Sequence, residues 1–258
     1  MRPALHAEWT KLRTVAGTIW LLPAVITLTV ALSAAVAAVV TCPPAGCSAD
    51  TTKLSLTGVD LGQALVAILA VLAISGEYST GMIRVTLTAM PRRPAVLAAK
   101  AVMLTGVVAA AGTMAILGSL LAGHLIRPGN GFTPARGYPA LSLADWPTLR
   151  AAVGSVLYLV LIGLLSLGVA TAVRDSATAI GVVLALLYLF PIITLVLADP
   201  QWQRHLQQIG PMSAGLAIQA TINLRDLPIS PWAGLGVLAA WATTALLAGG
   251  LLLQLRDA

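Results

Sequence analysis

The chain has 258 residues, 58% of them hydrophobic and 9% charged, with a mean hydropathy of +0.92 and a formal net charge of +6. This balance excludes an ordinary soluble domain and describes a single integral membrane domain, 1–258, dissolved mostly in lipid. The positive charge does not argue for nucleic acid, because the basic residues sit beside the ends of apolar stretches, where they set orientation and meet anionic lipid.

Residues 1–17 place Leu5, Trp9, Leu12 and Ala16 at helical spacing, with His6, Lys11 and Arg13 off that stripe, which predicts an interfacial elbow helix. Residues 18–40 are uncharged and as a helix extend roughly 34 Å, enough to cross a hydrocarbon core of about 30 Å. The stretch is too long for the core of a cleavable signal, so none is expected. Cys42 and Cys47 follow closely, separated by two prolines, an alanine and a glycine. In an oxidising compartment they are a disulfide candidate, with two free thiols as the alternative. No His or carboxylate cluster accompanies them to suggest a metal.

A second, short span is predicted over 59–75, with Asp60 at the interface and Gln63 one turn inside. A third runs over 95–126, where Lys100 is expected to snorkel towards headgroups and Ser119 and Gly123 form a small-residue pair. A Gly- and Pro-rich connection, 127–150, leads to a fourth span at 151–173, whose Gly154, Gly163 and Gly168 suit close helix approach. After a tight turn at Arg174-Asp175-Ser176 comes a fifth span at 177–197, with Tyr188, Phe190 and Pro191. Within 199–230 only about a dozen residues are apolar, too few to cross and return, which predicts a re-entrant or interfacial hairpin. A sixth span occupies 232–253. The expected fold is therefore an all-α membrane protein of six transmembrane helices. Even-numbered crossing puts both termini on one side, and nine basic residues lie on that side against six on the other. The bias assigns both termini to the cytoplasm of a multi-pass protein of the cell membrane.

Between the second and third spans lies 76–94, the longest polar-bearing connection between two spans. If Glu77–Met90 is helical, Tyr78, Met82, Val85 and Ala89 share one face while Glu77, Gly81, Arg84 and Thr88 share another. Such a helix is too polar to cross lipid and is expected to lie at the membrane surface.

Several chemistries lack their residues. No Gly-x-x-x-x-Gly-Lys-Ser/Thr phosphate loop, His-Glu-x-x-His or Gly-x-Ser-x-Gly occurs, so the chain is not expected to be an enzyme or to hold a cofactor. An ion-coupled secondary transporter is an alternative, as is a non-transporting anchor or sensor subunit. Carriers usually keep an ionisable residue within the membrane to bind the coupling ion, and no predicted span has one near its centre.

The order of motifs carries a family resemblance. Glu77-Tyr-x-x-Gly-x-Ile-Arg-x-x-Leu, then Pro91-Arg92-Arg93 and Lys100, resembles the cytoplasmic coupling segment of type-2 ABC exporter permeases. The opening Glu8-Trp-Thr-Lys-Leu-Arg-Thr is similar to that of the family's actinobacterial-style members. Pro211-Met-Ser-Ala-Gly resembles the external gating segment before the last span, and Ser230-Pro-Trp through Arg256-Asp-Ala the last span and tail. The resemblance implies a transmembrane permease subunit that pairs with a second permease, identical or homologous, and with two copies of an ABC ATPase subunit, where the ATP and Mg belong. It implies ATPase coupling by Glu77, Tyr78, Gly81, Arg84 and Arg92. A substrate pathway near the first, second and fifth spans nominates Gln63, Tyr188 and Phe190, for an amphiphilic, lipid-like or antibiotic-type cargo moved outwards.

Overall fold

The computed structural model describes residues 16–43, 48–79, 93–138 and 141–255. The elbow at 1–15, the coupling residues Gly81, Arg84 and Arg92, and Cys47 lie outside them. The described residues form helices and no strands. Six helices are long and apolar enough to cross a membrane: α1 (Ala16–Val39), α3 (Val59–Ser79), α4 (Arg93–Ile126), α5 (Trp146–Val173), α6 (Ser176–Val196) and α9 (Pro231–Leu255). Shorter helices α2 (Thr51–Ser55), α7 (Pro200–Ile209) and α8 (Pro211–Leu216) sit in the connections. Residues 40–43, 48–58, 127–138, 141–145 and 197–230 share one end of the bundle, here termed the loop end. The first residues of α1 and the last of α9 mark the opposite, terminal end.

One boundary differs from the sequence expectation. In the second span the apolar stretch is Val59–Gly76, 18 residues, and the helix α3 continues beyond it to Ser79. The fourth span begins at Trp146 rather than 151, with Asp145 as N-cap and Pro147 in the first turn, where a missing N–H costs nothing. The 127–150 connection is correspondingly shorter and contains two 3-10 turns, Arg127–Asn130 and Pro134–Arg136.

α5 is the hub. It packs against α3, α4, α6 and α9, while α1 lies across α3 and α4. Buried residues make up 56% of the apolar windows of α3 and α5 but only 17% of that of α6 and 22% of that of α1, so the outer helices give most of their surface to lipid or to a partner. Lipid tails are as apolar as leucine, so helix association depends on close van der Waals packing. Glycines supply it at the tightest crossings. A Cβ on Gly168 would lie 2.5–2.7 Å from the α9 backbone at Ala245 and Leu246, and one on Gly249 would meet the Gly168 carbonyl at 2.6 Å. On α1, Thr29 and Ser33 are buried against Gly58 and Gly62, and the Gly58 N–H donates to Ser33 Oγ at 3.0 Å. Gly163, by contrast, meets its neighbours at ordinary distances of 3.5–3.7 Å.

Connections are tied to the bundle by polar caps. Asn130 Nδ2 donates to the last carbonyls of α1, Ala37 at 2.7 Å and Ala38 at 3.1 Å, and Asn130 O accepts from Cys42 N. Cys42 itself is disulfide-bonded; the chain's other cysteine is Cys47. At the terminal end, Arg174 closes α5 with φ of 66°, a left-handed cap usually given to glycine. Asp175 then caps α6, accepting from Thr178 N at 2.8 Å. The backbone N–H of Thr178, with help from its side chain, holds the Asp175 carboxyl below its ordinary value. Its contribution to starting α6 is therefore present above the unfolded carboxyl value of about 3.9 and is lost as pH falls through the lower folded value.

Gly168→Val forces the α5–α9 backbones apart and is expected to cost about 1–3 kcal/mol or more, read as a lower thermal midpoint in detergent. Gly163→Ala, at a site with ordinary spacing, is expected to leave the midpoint within a degree or two.

Candidate functional site

The most connected polar cluster lies where α3, α5, α6 and α8 meet near the loop end. Gln63, on the second turn of α3, is completely buried. Its Oε1 accepts from the Tyr158 hydroxyl of α5, and its Nε2 donates to the Asp60 carbonyl at 3.2 Å and to Met212 Sδ of α8 at 3.1 Å. Tyr188 of α6 donates to the same Asp60 carbonyl at 2.6 Å. In a membrane interior each unsatisfied polar group costs several kcal/mol, and this arrangement leaves the amide fully bonded.

Above the cluster opens a cavity of about 410 Å3, lined on its polar side by Lys53, Asp60, Thr194, Gln207 and Gln219, with Met212 between it and Gln63. Its volume falls within the roughly 300–1,000 Å3 of pockets that enclose small molecules. The cavity owes its walls to residues 197–230. This segment holds a polar helix, α7, capped by Asp199 through Gln201 N at 2.8 Å, and then a buried turn. Pro211, Ala214 and Gly215 of α8 and Ile218 beyond it are buried. Gly215 allows the Tyr158 ring to lie against its backbone, and Gly234 lets α9 touch the Ala214 carbonyl.

A second tie fixes this lid from the other side. Asp50, the N-cap of α2, accepts from Lys53 N at 3.0 Å, from Thr221 N at 2.5 Å, from Thr221 Oγ1 at 2.7 Å and from Ile222 N at 3.3 Å. Arg150 of α5 donates to the neighbouring Ala220 carbonyl, and Gln219 Nε2 donates to Ser155 Oγ at 3.2 Å.

The structure thus brings together two of the three nominated pathway residues, Gln63 and Tyr188, which share the Asp60 carbonyl. Phe190 is half-buried, its Cβ beside Gly210 at the α7–α8 junction. Tyr158, Met212 and Asp50 were not singled out from sequence. Tyr158 lies within an apolar run of the sequence, and only the packing shows its hydroxyl meeting Gln63.

Of the coupling residues, Glu77 and Tyr78 fall on the last turn of α3. The Tyr78 ring is half-buried beneath the Arg174 guanidinium, whose Cζ lies 5.5 Å from the ring centroid. Lys100 does not snorkel to the surface. It is 3% exposed, and its Nζ donates to the Ala73 carbonyl of α3 at 3.2 Å.

No protein-family model matches the chain, and no curated protein matches it at a significant level.

Asp50→Ala removes the acceptor shared by α2 and the 217–222 turn. Hydrogen bonds to charged groups are worth about 1.5–3 kcal/mol, so the variant is expected to lose stability on that scale and to speed amide exchange at Thr221 and Ile222. Unchanged exchange there would show that the tie does not hold the lid.

Proposed function

We propose that the chain is the transmembrane permease subunit of an ATP-driven ABC exporter. Two copies of a separate ATPase subunit would supply the energy, and a second permease, identical or homologous, would complete the pathway. The observation that carries this reading is the position of the Glu77–Arg93 motif between two span ends that are each fastened into the bundle. Lys100 ties α4 to α3 through the Ala73 carbonyl. The Tyr78–Arg174 contact ties the end of α3 to the turn between α5 and α6. A displacement applied to residues 80–92 would therefore load α3, α4 and the α5–α6 turn together, as mechanical transmission from a docked ATPase requires.

Two further features support it. Of the first, second and fifth spans, which the resemblance places near the seam between permeases, the first and fifth leave most of their apolar length uncovered within the chain, as the sixth does, while the second is 56% buried. The cavity at the loop end combines apolar and polar walls and suits an amphiphilic, lipid-like or antibiotic-type cargo. The ATP and Mg2+ belong to the ATPase subunit, since this sequence has no phosphate loop.

The test is to co-express the chain with an ATPase encoded beside its gene and to measure co-purification and ATP hydrolysis in lipid. Glu77→Ala and Arg84→Glu are expected to weaken association or hydrolysis by about tenfold or more, the effect of 1.4 kcal/mol. Arg174→Gly relieves the left-handed cap and is expected to keep the fold while lowering coupled hydrolysis. If no ATPase co-purifies and all three variants behave as the parent does, the exporter reading fails.

A further inference from the structure

At the loop end, α4 gives way at Ile126 to the 3-10 turn Arg127–Asn130. Arg127 is 3% exposed, yet among the described residues its Nε, Nη1 and Nη2 have no hydrogen-bond partner. Its Cζ lies 5.6 Å from the centroid of the buried Phe132 ring, which Tyr138 braces edge-on at 5.2 Å. The carboxylate that acts on Arg127 through space is Asp50. Both Asp50 oxygens are already engaged by Lys53, Thr221 and Ile222. A guanidinium out of water with all its donors unused is costly, since arginine presents five N–H groups in a fixed fork.

The fork borders a cavity of about 270 Å3, whose walls include Thr51, His124, Phe132, Tyr138 and Leu141. His124 Nδ1 donates to the Leu141 carbonyl at 3.1 Å, which fixes the imidazole beside the cavity. The volume is just under the roughly 300–1,000 Å3 of pockets that enclose whole small molecules, so it fits a group rather than a drug-sized ligand.

We propose that this cavity binds a phosphate group, with Arg127 as its main donor. Arginine matches phosphate with paired, charge-assisted hydrogen bonds, and the Phe132 face holds the guanidinium plane in place. The position points to an anionic phospholipid headgroup. Arg127 directly follows an apolar span, at the level where headgroups begin, and Met114, Leu117, Leu121 and Leu125 form an exposed apolar track along α4 up to it. An acyl chain lying on that track places its phosphate beside His124 and Arg127. Free phosphate offers the same chemistry without the track.

Native mass spectrometry of the purified full chain, titrated separately with phosphatidylglycerol, diacylglycerol and inorganic phosphate, tests the site. One phosphatidylglycerol per chain is expected to bind, with affinity falling about 10- to 100-fold in Arg127→Gln, the range for hydrogen bonds to a charged group. Diacylglycerol, which lacks the phosphate, is expected to bind weakly and equally to both. Inorganic phosphate binding as tightly as the lipid would assign the site to free phosphate; lipid binding alone would assign it to a headgroup. Leu141→Trp fills the cavity while leaving Arg127 in place, and is expected to reproduce the loss even if Arg127→Gln folds poorly. Phosphatidylglycerol bound equally by parent and Leu141→Trp, with no phosphate bound by either, would overturn the proposal.

Discussion

A buried primary amide inside a lipid-embedded bundle must find partners for both its oxygen and its nitrogen, and Gln63 finds them on three helices. Tyr158 reaches it from α5, Met212 from α8, and the Asp60 carbonyl from its own helix. Tyr188 brings α6 to the same carbonyl. Sliding or rotating any one of these helices would strand a polar atom in a medium where an unmade bond costs several kcal/mol. The register in which α3, α5, α6 and α8 meet therefore depends on this cluster. The glycines around it, Gly215 under the Tyr158 ring and Gly154 under Ile218, are the steric condition for the bonds to form.

Each end of the bundle ties together elements distant in sequence. The loop end is stitched by many directional bonds between connections distant in sequence, including those of Asp50, Asn130 and Arg150. At the terminal end, among the described residues, Lys100 reaches the Ala73 carbonyl and Arg174 lies over the Tyr78 ring. Packed elements that have two arrangements are what alternating access needs. In the proposed function, force enters at the terminal end, and the pathway is gated where α8 and the Gln63 cluster close the other.

Much of the fold was legible because lipid imposes a length rule that sequence displays directly. Six apolar stretches of suitable length became six helices, and Gly154 and Gly168 lie at close approaches. Errors arose where a side chain had a choice. Lys100 was expected to seek headgroups, but it donates to a neighbouring carbonyl. The start of α5 was placed too late, although Asp145-Trp-Pro147 carries the cap and first-turn proline that mark a helix start. Tyr158, Met212 and Arg127 were illegible for a different reason. Their significance comes from partners, or from a missing partner, far away in sequence, and no local pattern encodes that. The coupling residues Gly81, Arg84 and Arg92 lie outside the described part of the chain, so for them the sequence pattern is the whole argument.

The claim that one amide node sets the register in which these helices meet is open to a double-mutant cycle on thermal unfolding in detergent, using Gln63→Leu, Tyr158→Phe and the pair. Each single change leaves a buried polar atom unsatisfied and is expected to cost about 1–3 kcal/mol. The double variant is expected to cost less than the two together by about 1 kcal/mol or more, because the second change removes the group that the first had stranded. Costs that add to within about 0.3–0.5 kcal/mol would show that Gln63 and Tyr158 act independently, and would contradict the account.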